Sequence, residues 1–119
     1  MNCVDKGRRG EDLAAAFLLE NEYRIVVRNW RTKSGEIDIV AIDGNTLVFC
    51  EVKSRSSTLC GSGAEAVNYR KQQKIVQTAS FYLQRFRLNH CCCRFDVIEI
   101  KNMDRQQPEI NHIKNAFGG

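Results

Sequence analysis

No apolar run in this 119-residue chain approaches the ~18 residues that span a bilayer. The opening stretch Met1-Asn2-Cys3-Val4-Asp5-Lys6 lacks the apolar segment of a signal peptide, so the expectation is a cytoplasmic protein with no membrane partner. Internal repeats, low-complexity tracts and charge blocks are missing as well, which leaves a single domain over residues 1–119. A Gly-x-x-x-x-Gly-Lys loop is absent, and nucleotide hydrolysis loses its usual phosphate cradle. Histidine is scarce, and neither His90 nor His112 is placed to activate a cysteine, so covalent catalysis finds no candidate nucleophile.

Cysteine is plentiful, at positions 3, 50, 60, 91, 92 and 93, but its pattern excludes more than it suggests. Cys91, Cys92 and Cys93 are consecutive, and adjacent side chains in extended chain point apart, so no disulfide framework follows. The spacing also lacks the paired ligands of a zinc site, which leaves reduced cysteines that partly fill core space. Hydrophobic residues make up 43% and charged residues 27%, ordinary for a globular domain. The net charge of +4, from 18 Lys and Arg against 14 acids, permits nucleic-acid binding without requiring it.

The densest information lies between Ser34 and Arg55. Two runs rich in Val, Ile, Leu and Phe flank Asp43-Gly44-Asn45, the signal of an antiparallel hairpin. Alternation puts Glu36, Asp38, Val40 and Ile42 on one face of the first strand, with Ile37, Ile39 and Ala41 on the other. In the second strand Leu47, Phe49, Glu51, Lys53 and Arg55 share a face, and Val48, Cys50 and Val52 form a wholly apolar one. Both faces are therefore expected to be covered. Glu51 and Lys53 then lie among apolar neighbours, where charge is costly unless it is paired or binds a metal. They are roughly 7 Å apart along one face, with Asp38 on the neighbouring strand. Two carboxylates and an ammonium converging in this way suit Mg2+ or Mn2+ with substrate phosphate completing the shell. The lysine can hold the attacking water or stabilise developing charge, and the set is the equipment of phosphodiester hydrolysis.

Asp38, twelve intervening residues, then Glu51-Val52-Lys53 resembles the PD-(D/E)XK motif of restriction endonuclease-like folds and archaeal Holliday-junction resolvases. Ile37 stands in place of that motif's proline, one of its least constrained positions. The wider string is similar to the YraN family of small bacterial proteins regarded as candidate endonucleases. It comprises Gly7-Arg8-Arg9-Gly10-Glu11 with Ala14-Ala15, Asn29-Trp30-Arg31, Gly35-Glu36-Ile37-Asp38, Val48-Phe49-Cys50-Glu51-Val52-Lys53 and Lys71-Gln72-Gln73-Lys74. The likeness covers nearly the whole chain. It implies a restriction endonuclease-like core, and a first-helix glutamate, Glu11, that adds a ligand or orients a metal-bound water.

In chain order, Asp5 is expected to cap a helix over residues 5–22, with Gly7 and Gly10 weakening its first turns. Leu13, Ala14, Phe17 and Leu18 form its apolar stripe. Glu11 lies at the edge of that stripe, where it is either turned inward or simply a first-turn acid favoured by the helix dipole. Residues 23–30 read as a strand, and a basic turn with Arg28, Arg31 and Lys33 is placed to meet phosphate. A small, polar, glycine-bearing loop over residues 56–63 has the composition of a segment that closes on substrate. A long helix starts at residue 64 or 65 and runs to 88, with Val67, Ile75, Ala79, Tyr82, Leu83 and Phe86 as its buried face. Arg70, Lys71 and Lys74 crowd its first half, and Lys71 and Lys74 share a face able to hold a phosphate. Strands follow over residues 94–100 and 110–117, separated by a polar turn and Pro108. Asp96 faces inward, and an arginine partner suits it better than a metal.

The expected order is αβββαββ, a mixed five-stranded α/β sheet flanked by helices. The expected function is Mg2+- or Mn2+-dependent cleavage of duplex or branched DNA, with Asp38 and Glu51 on the metal, Glu11 at second rank and Lys53 on the water. Arg31, Lys33, Arg55, Lys71 and Lys74 are the expected DNA contacts, and a homodimer would allow both strands to be cut. A nucleic-acid-binding protein that does not cut, and a protein interaction module, are the competing readings. No base-reading helix or aromatic stacking platform stands out, and junctions, flaps, nicks, linear ends and RNA all fit as substrates.

Overall fold

The computed structural model describes residues 3–54, 68–103 and 106–117, with side chains described from residue 8 onward. Its elements are α1 (Cys3–Glu20), β1 (Arg24–Arg31), β2 (Glu36–Asp43), β3 (Thr46–Ser54), α2 (Tyr69–Arg85), β4 (Cys93–Lys101) and β5 (Glu109–Phe117). The expected order holds. The five strands form one sheet in sequence order, antiparallel except where β3 and β4 run parallel across the α2 connection. No helix among the described residues is long and apolar enough to cross a membrane.

Each face of the sheet carries one helix, and the alternation of the strands explains which. Ile39, Ala41, Val48, Cys50, Ile98 and Ile100 turn to α1, whose Ala14 and Leu18 are fully buried against them. Val40, Leu47, Phe49, Phe95 and Val97 turn to α2 and meet Ile75, Ala79 and Tyr82. β3 is thus covered on both sides, as its sequence requires. Ile37 departs from strict alternation: it belongs with the α2 cluster rather than with Ile39 and Ala41.

Local boundaries correct several expectations. α1 already includes Cys3 and Val4, so Asp5 lies within the helix rather than capping it, and the helix ends at Glu20. Glu22 turns the chain with a φ of 68°. The hairpin turn is Gly44-Asn45, with Asp43 opposite Thr46 and Gly44 at φ 61°. Asn68 is extended (φ −75°, ψ 172°) and accepts the Lys71 N–H, so it caps α2, which starts at Tyr69 rather than at residue 64 or 65. Those two residues, Val67, Arg55 and the glycine-bearing loop lie outside the described residues. Phe86, expected in the buried face of α2, is 46% exposed. Of the cysteines described, Cys50 fills core space whereas Cys92 and Cys93 are exposed.

Asp96 does have its arginine. Arg94 Nε lies 2.9 Å from Asp96 Oδ1, and Arg94 also reaches Asp43 and the Tyr23 hydroxyl. His112 Nε2, 2.7 Å from Asp96 Oδ2, and the Asn115 N–H complete a buried knot that ties β5 to β4.

Candidate active site at the fork of the central hairpin

The ladder between β2 and β3 runs from Asp43 opposite Thr46 to Ile39 opposite Cys50 and then stops. β3 continues in register with β4, Glu51 beside Val97 and Lys53 beside Glu99. On its other side the Val52 N–H donates to Asp38 Oδ2 at 2.8 Å, a carboxylate taking the place of a ladder carbonyl. The two strands therefore open into a fork, and the fork holds the sequence-expected acids.

Glu51 is buried, its side chain 7% exposed, and its Oε1 accepts two ammonium groups: Lys53 Nζ at 3.2 Å and Lys71 Nζ at 2.9 Å. Lys53 comes from the same strand face, whereas Lys71 reaches in from the first turns of α2. Asp38 and Glu51 line a cavity of about 220 Å³ together with Gly35, Glu36, Lys71, Lys74 and Ile75. The cavity floor is acidic and its helical wall is basic.

The charges are strongly interdependent. Burial, and then the negative charge of Glu51, push Asp38 up to about 8, against the pull of the Val52 N–H. Burial lowers Lys53, with the neighbouring Lys71 acting in the same sense and Glu51 opposing. Burial also works against the charge on Lys71, but its contacts with Lys53 and Glu51 outweigh it and leave Lys71 above the usual lysine value.

Glu11 stands at the margin of this cluster. Gly10 lets α1 approach β3 so closely that a Cβ there would fall 1.8 Å from Ser54 Oγ, and this brings the next residue beside the fork. Glu11 Oε1 is buried with no hydrogen-bond partner among the described residues, and burial raises its carboxyl above the ordinary range while Asn29 and Arg28 oppose. Its charge also contributes to the raised value of Asp38. Arg28, expected to face phosphate, instead lies 2.7 Å from Asp12 Oδ1 and 3.9 Å from Glu11 Oε1.

All candidate donors are carboxylate oxygens, the chemistry of a hard ion that keeps water and takes phosphate. Asp38 Oδ2 serves Val52 and Glu51 Oε1 serves the lysines, so an ion would use the second oxygen of each. Among the described residues no three acidic, histidine or cysteine side chains are gathered closely enough to hold an ion, so Glu11 stands outside the pair in this arrangement. A two-carboxylate site of the kind magnesium accepts is what these residues fit.

Of the expected DNA contacts, Lys74 lines the cavity and Lys71 is engaged with Glu51. Arg31 is exposed and 3.3 Å from Glu36. Lys33 faces a second, larger cavity of about 620 Å³ framed by Trp30, Phe81 and Phe86. The sequence showed no such aromatic gathering, because Trp30 and the α2 phenylalanines are more than fifty residues apart. The signal available was Phe81 itself, which falls off the apolar stripe of its helix.

These features define a small mixed-sheet α/β protein built round a carboxylate–lysine cluster at a hairpin fork. The chain belongs to the uncharacterised protein family UPF0102, whose model matches residues 10–100. It is similar to a UPF0102 protein of Caldicellulosiruptor saccharolyticus, 43% identical over 98% of this chain and all of that protein. A Clostridioides difficile relative is also 43% identical over 98% of this chain and the whole of its own length. One from Geobacter sulfurreducens is 49% identical over 93% of this chain and 87% of its own.

Proposed function

We propose that this protein is a Mg2+- or Mn2+-dependent DNA endonuclease with a restriction endonuclease-like core of the PD-(D/E)XK type. The observation that carries the reading is the pairing of Asp38 with Glu51 at the fork, with Lys53 on Glu51 Oε1 at 3.2 Å. Asp38 and Glu51 would hold the ion, with Glu11 in support. A bound ion of this kind supplies activation of water and neutralisation of phosphate charge. Lys53, its ammonium weakened by burial, holds the attacking water and stabilises charge on the phosphoryl oxygens. The Val52 N–H fixes Asp38, so the carboxylate needs no reorganisation when substrate arrives. Lys74 on the cavity wall, with Arg31 beside it on the surface, meets backbone phosphate. A cytoplasmic setting, and a homodimer through an edge strand, β1 or β5, complete the reading.

A second reading has one observation in its favour. Lys53 and Lys71 already balance Glu51, which is what a nucleic-acid-binding protein with no need of a metal would show.

One cleavage panel decides: linear, branched and single-stranded DNA with magnesium or manganese, comparing wild type with Asp38→Ala and Lys53→Ala. Cleavage by wild type that both variants lose, with DNA binding retained, is the expected result. Binding without cleavage, unchanged in either variant, overturns the enzymatic reading in favour of the second.

A further inference from the structure

Beside the carboxylate–lysine cavity lies the second one, an open groove of about 620 Å³, in the size range of small-ligand sites. Its walls are Trp30 from β1, Lys33 from the β1–β2 turn, and Phe81, Gln84, Arg85 and Phe86 from the end of α2. Phe81 and Phe86 are 42% and 46% exposed, so the cavity presents aromatic surface to solvent. Trp30 meets Tyr82 edge-on at 85° and Phe86 at 58°, so neither contact is a parallel stack. Arg85 sits 5.3 Å from the centre of the Phe86 ring, presenting a planar cation beside an aromatic face. Among the described residues no acid lines this cavity, in contrast to its neighbour with Glu36, Asp38 and Glu51.

The same turn and the same helix line both cavities, through different residues. The turn closed by the Thr32 and Gly35 main chains contributes Lys33 to one and Gly35 to the other. α2 contributes Lys74 to one and Phe81 to the other, seven residues or about 10 Å along the helix. Between them the turn rests on the helix: a Cβ on Gly35 would lie 3.1 Å from Thr78 Oγ1. A strand whose phosphate occupies the first cavity therefore reaches the second within a few nucleotides.

We propose that the Trp30–Phe81–Phe86 cavity takes an unpaired nucleobase of the bound strand, which makes nucleic acid with single-stranded character the preferred substrate class. This rests on the nuclease or nucleic-acid-binding reading of the neighbouring site. Bases in a duplex hide their faces in the stack, whereas an unpaired base offers them to aromatic side chains. Lys33 and Arg85 meet the flanking phosphates, and the Gln84 amide both donates to and accepts from a base edge. Stacking contributes without reading sequence, because every base has a π-face.

Trp30 is the only tryptophan in the chain and reports on the cavity directly. The full-length protein, in EDTA so that no cleavage occurs, is titrated with a short oligothymidylate, an abasic strand of equal length and a duplex. Expected are quenching of Trp30 by oligothymidylate and an affinity at least about fivefold above the abasic strand, the low end for one base–aromatic stack. Phe81→Ala should lose that preference while keeping the affinity for the abasic strand. Equal binding of thymidine-bearing and abasic strands by wild type overturns the proposal and needs no variant. So does a Trp30 signal that depends on protein concentration without DNA and vanishes in Phe81→Ala, which would make the cavity a contact between two copies. Because the titration needs no metal, its failure is separable from failure to cleave.

Discussion

Asp38 and Val52 are joined by a hydrogen bond of 2.8 Å in which a side-chain carboxylate replaces the strand carbonyl that would have faced the Val52 N–H. This contact holds Asp38 at the fork and favours its charged form, against the burial and then the Glu51 charge that push it up to about 8.

Asp38→Asn should therefore abolish cleavage and stabilise the metal-free protein. Asn keeps an oxygen for Val52 and removes the like-charge pair. In wild type the folded carboxyl holds its proton up to about 8, whereas the unfolded one releases it near 3.8. The folded state thus binds the extra proton across that window, and stability falls as pH climbs through it. Thermal melts from pH 4 to 9 should show this decline in wild type and a flatter limb in Asp38→Asn, with a gain of about 4 °C at pH 8 for ~1 kcal/mol. A less stable variant at pH 8 would contradict the account.

Glu51→Gln should do the opposite. It leaves the Lys53 and Lys71 ammonium groups facing each other without their shared anion. Breaking a buried pair from one side costs roughly 3 kcal/mol or more, and urea denaturation should show it. Lys71→Ala leaves Lys53 on Glu51 and should cost about 1 kcal/mol or less. Equal losses in the two variants would mean that Lys71, rather than the pair, neutralises Glu51.

The element order and the carboxylate–lysine grouping were legible because both live in short-range patterns. The runs either side of Gly44 alternate, and Glu51 and Lys53 fall on one face by spacing alone. The position of Ile37 was not legible, since it depends on where the ladder stops, and a side chain on one strand bonding the main chain of the other decides that. Lys71 on Glu51 was hidden for a related reason: helical spacing gives its face but not what lies across from it. The exposure of Phe86 is another case of the same limit. The arginine partner of Asp96 was readable two residues away on its own strand, while His112 was not.

Acid should expose the Asp96 knot. Burial works against its charge, but hydrogen bonds from His112, Arg94 and Asn115 hold it down at about 2. Its unfolded value near 3.8 is higher, so its stabilisation is complete above that pH and is lost as pH falls toward 2. The amount is roughly 2 kcal/mol. Asp96→Asn should flatten the acid limb of the stability curve between pH 4 and 2 and weaken the fold at neutral pH by leaving Arg94 without its buried counter-charge. An acid limb identical to wild type would place the acid sensitivity elsewhere.

Gly10 tests whether the approach of α1 to β3 matters to the site as well as to the fold. In a free helix Gly→Ala gains about 1 kcal/mol. Here the new Cβ would fall 1.8 Å from Ser54 Oγ and 3.0 Å from Ser54 Cβ, so the helix must move off or Ser54 must turn away. Overpacking of this kind costs about 1–3 kcal/mol, which makes Gly10→Ala destabilising despite its better propensity. Ser54→Ala in the same chain removes the nearer atom and should recover part of the loss, a coupling that denaturation of the two single variants and the double variant measures. The same displacement carries Glu11 away from the fork, so cleavage should fall in Gly10→Ala and rise again in the double variant. Recovery of stability without recovery of cleavage would mean that Glu11 needs its present position to better than the adjustment Ser54→Ala allows.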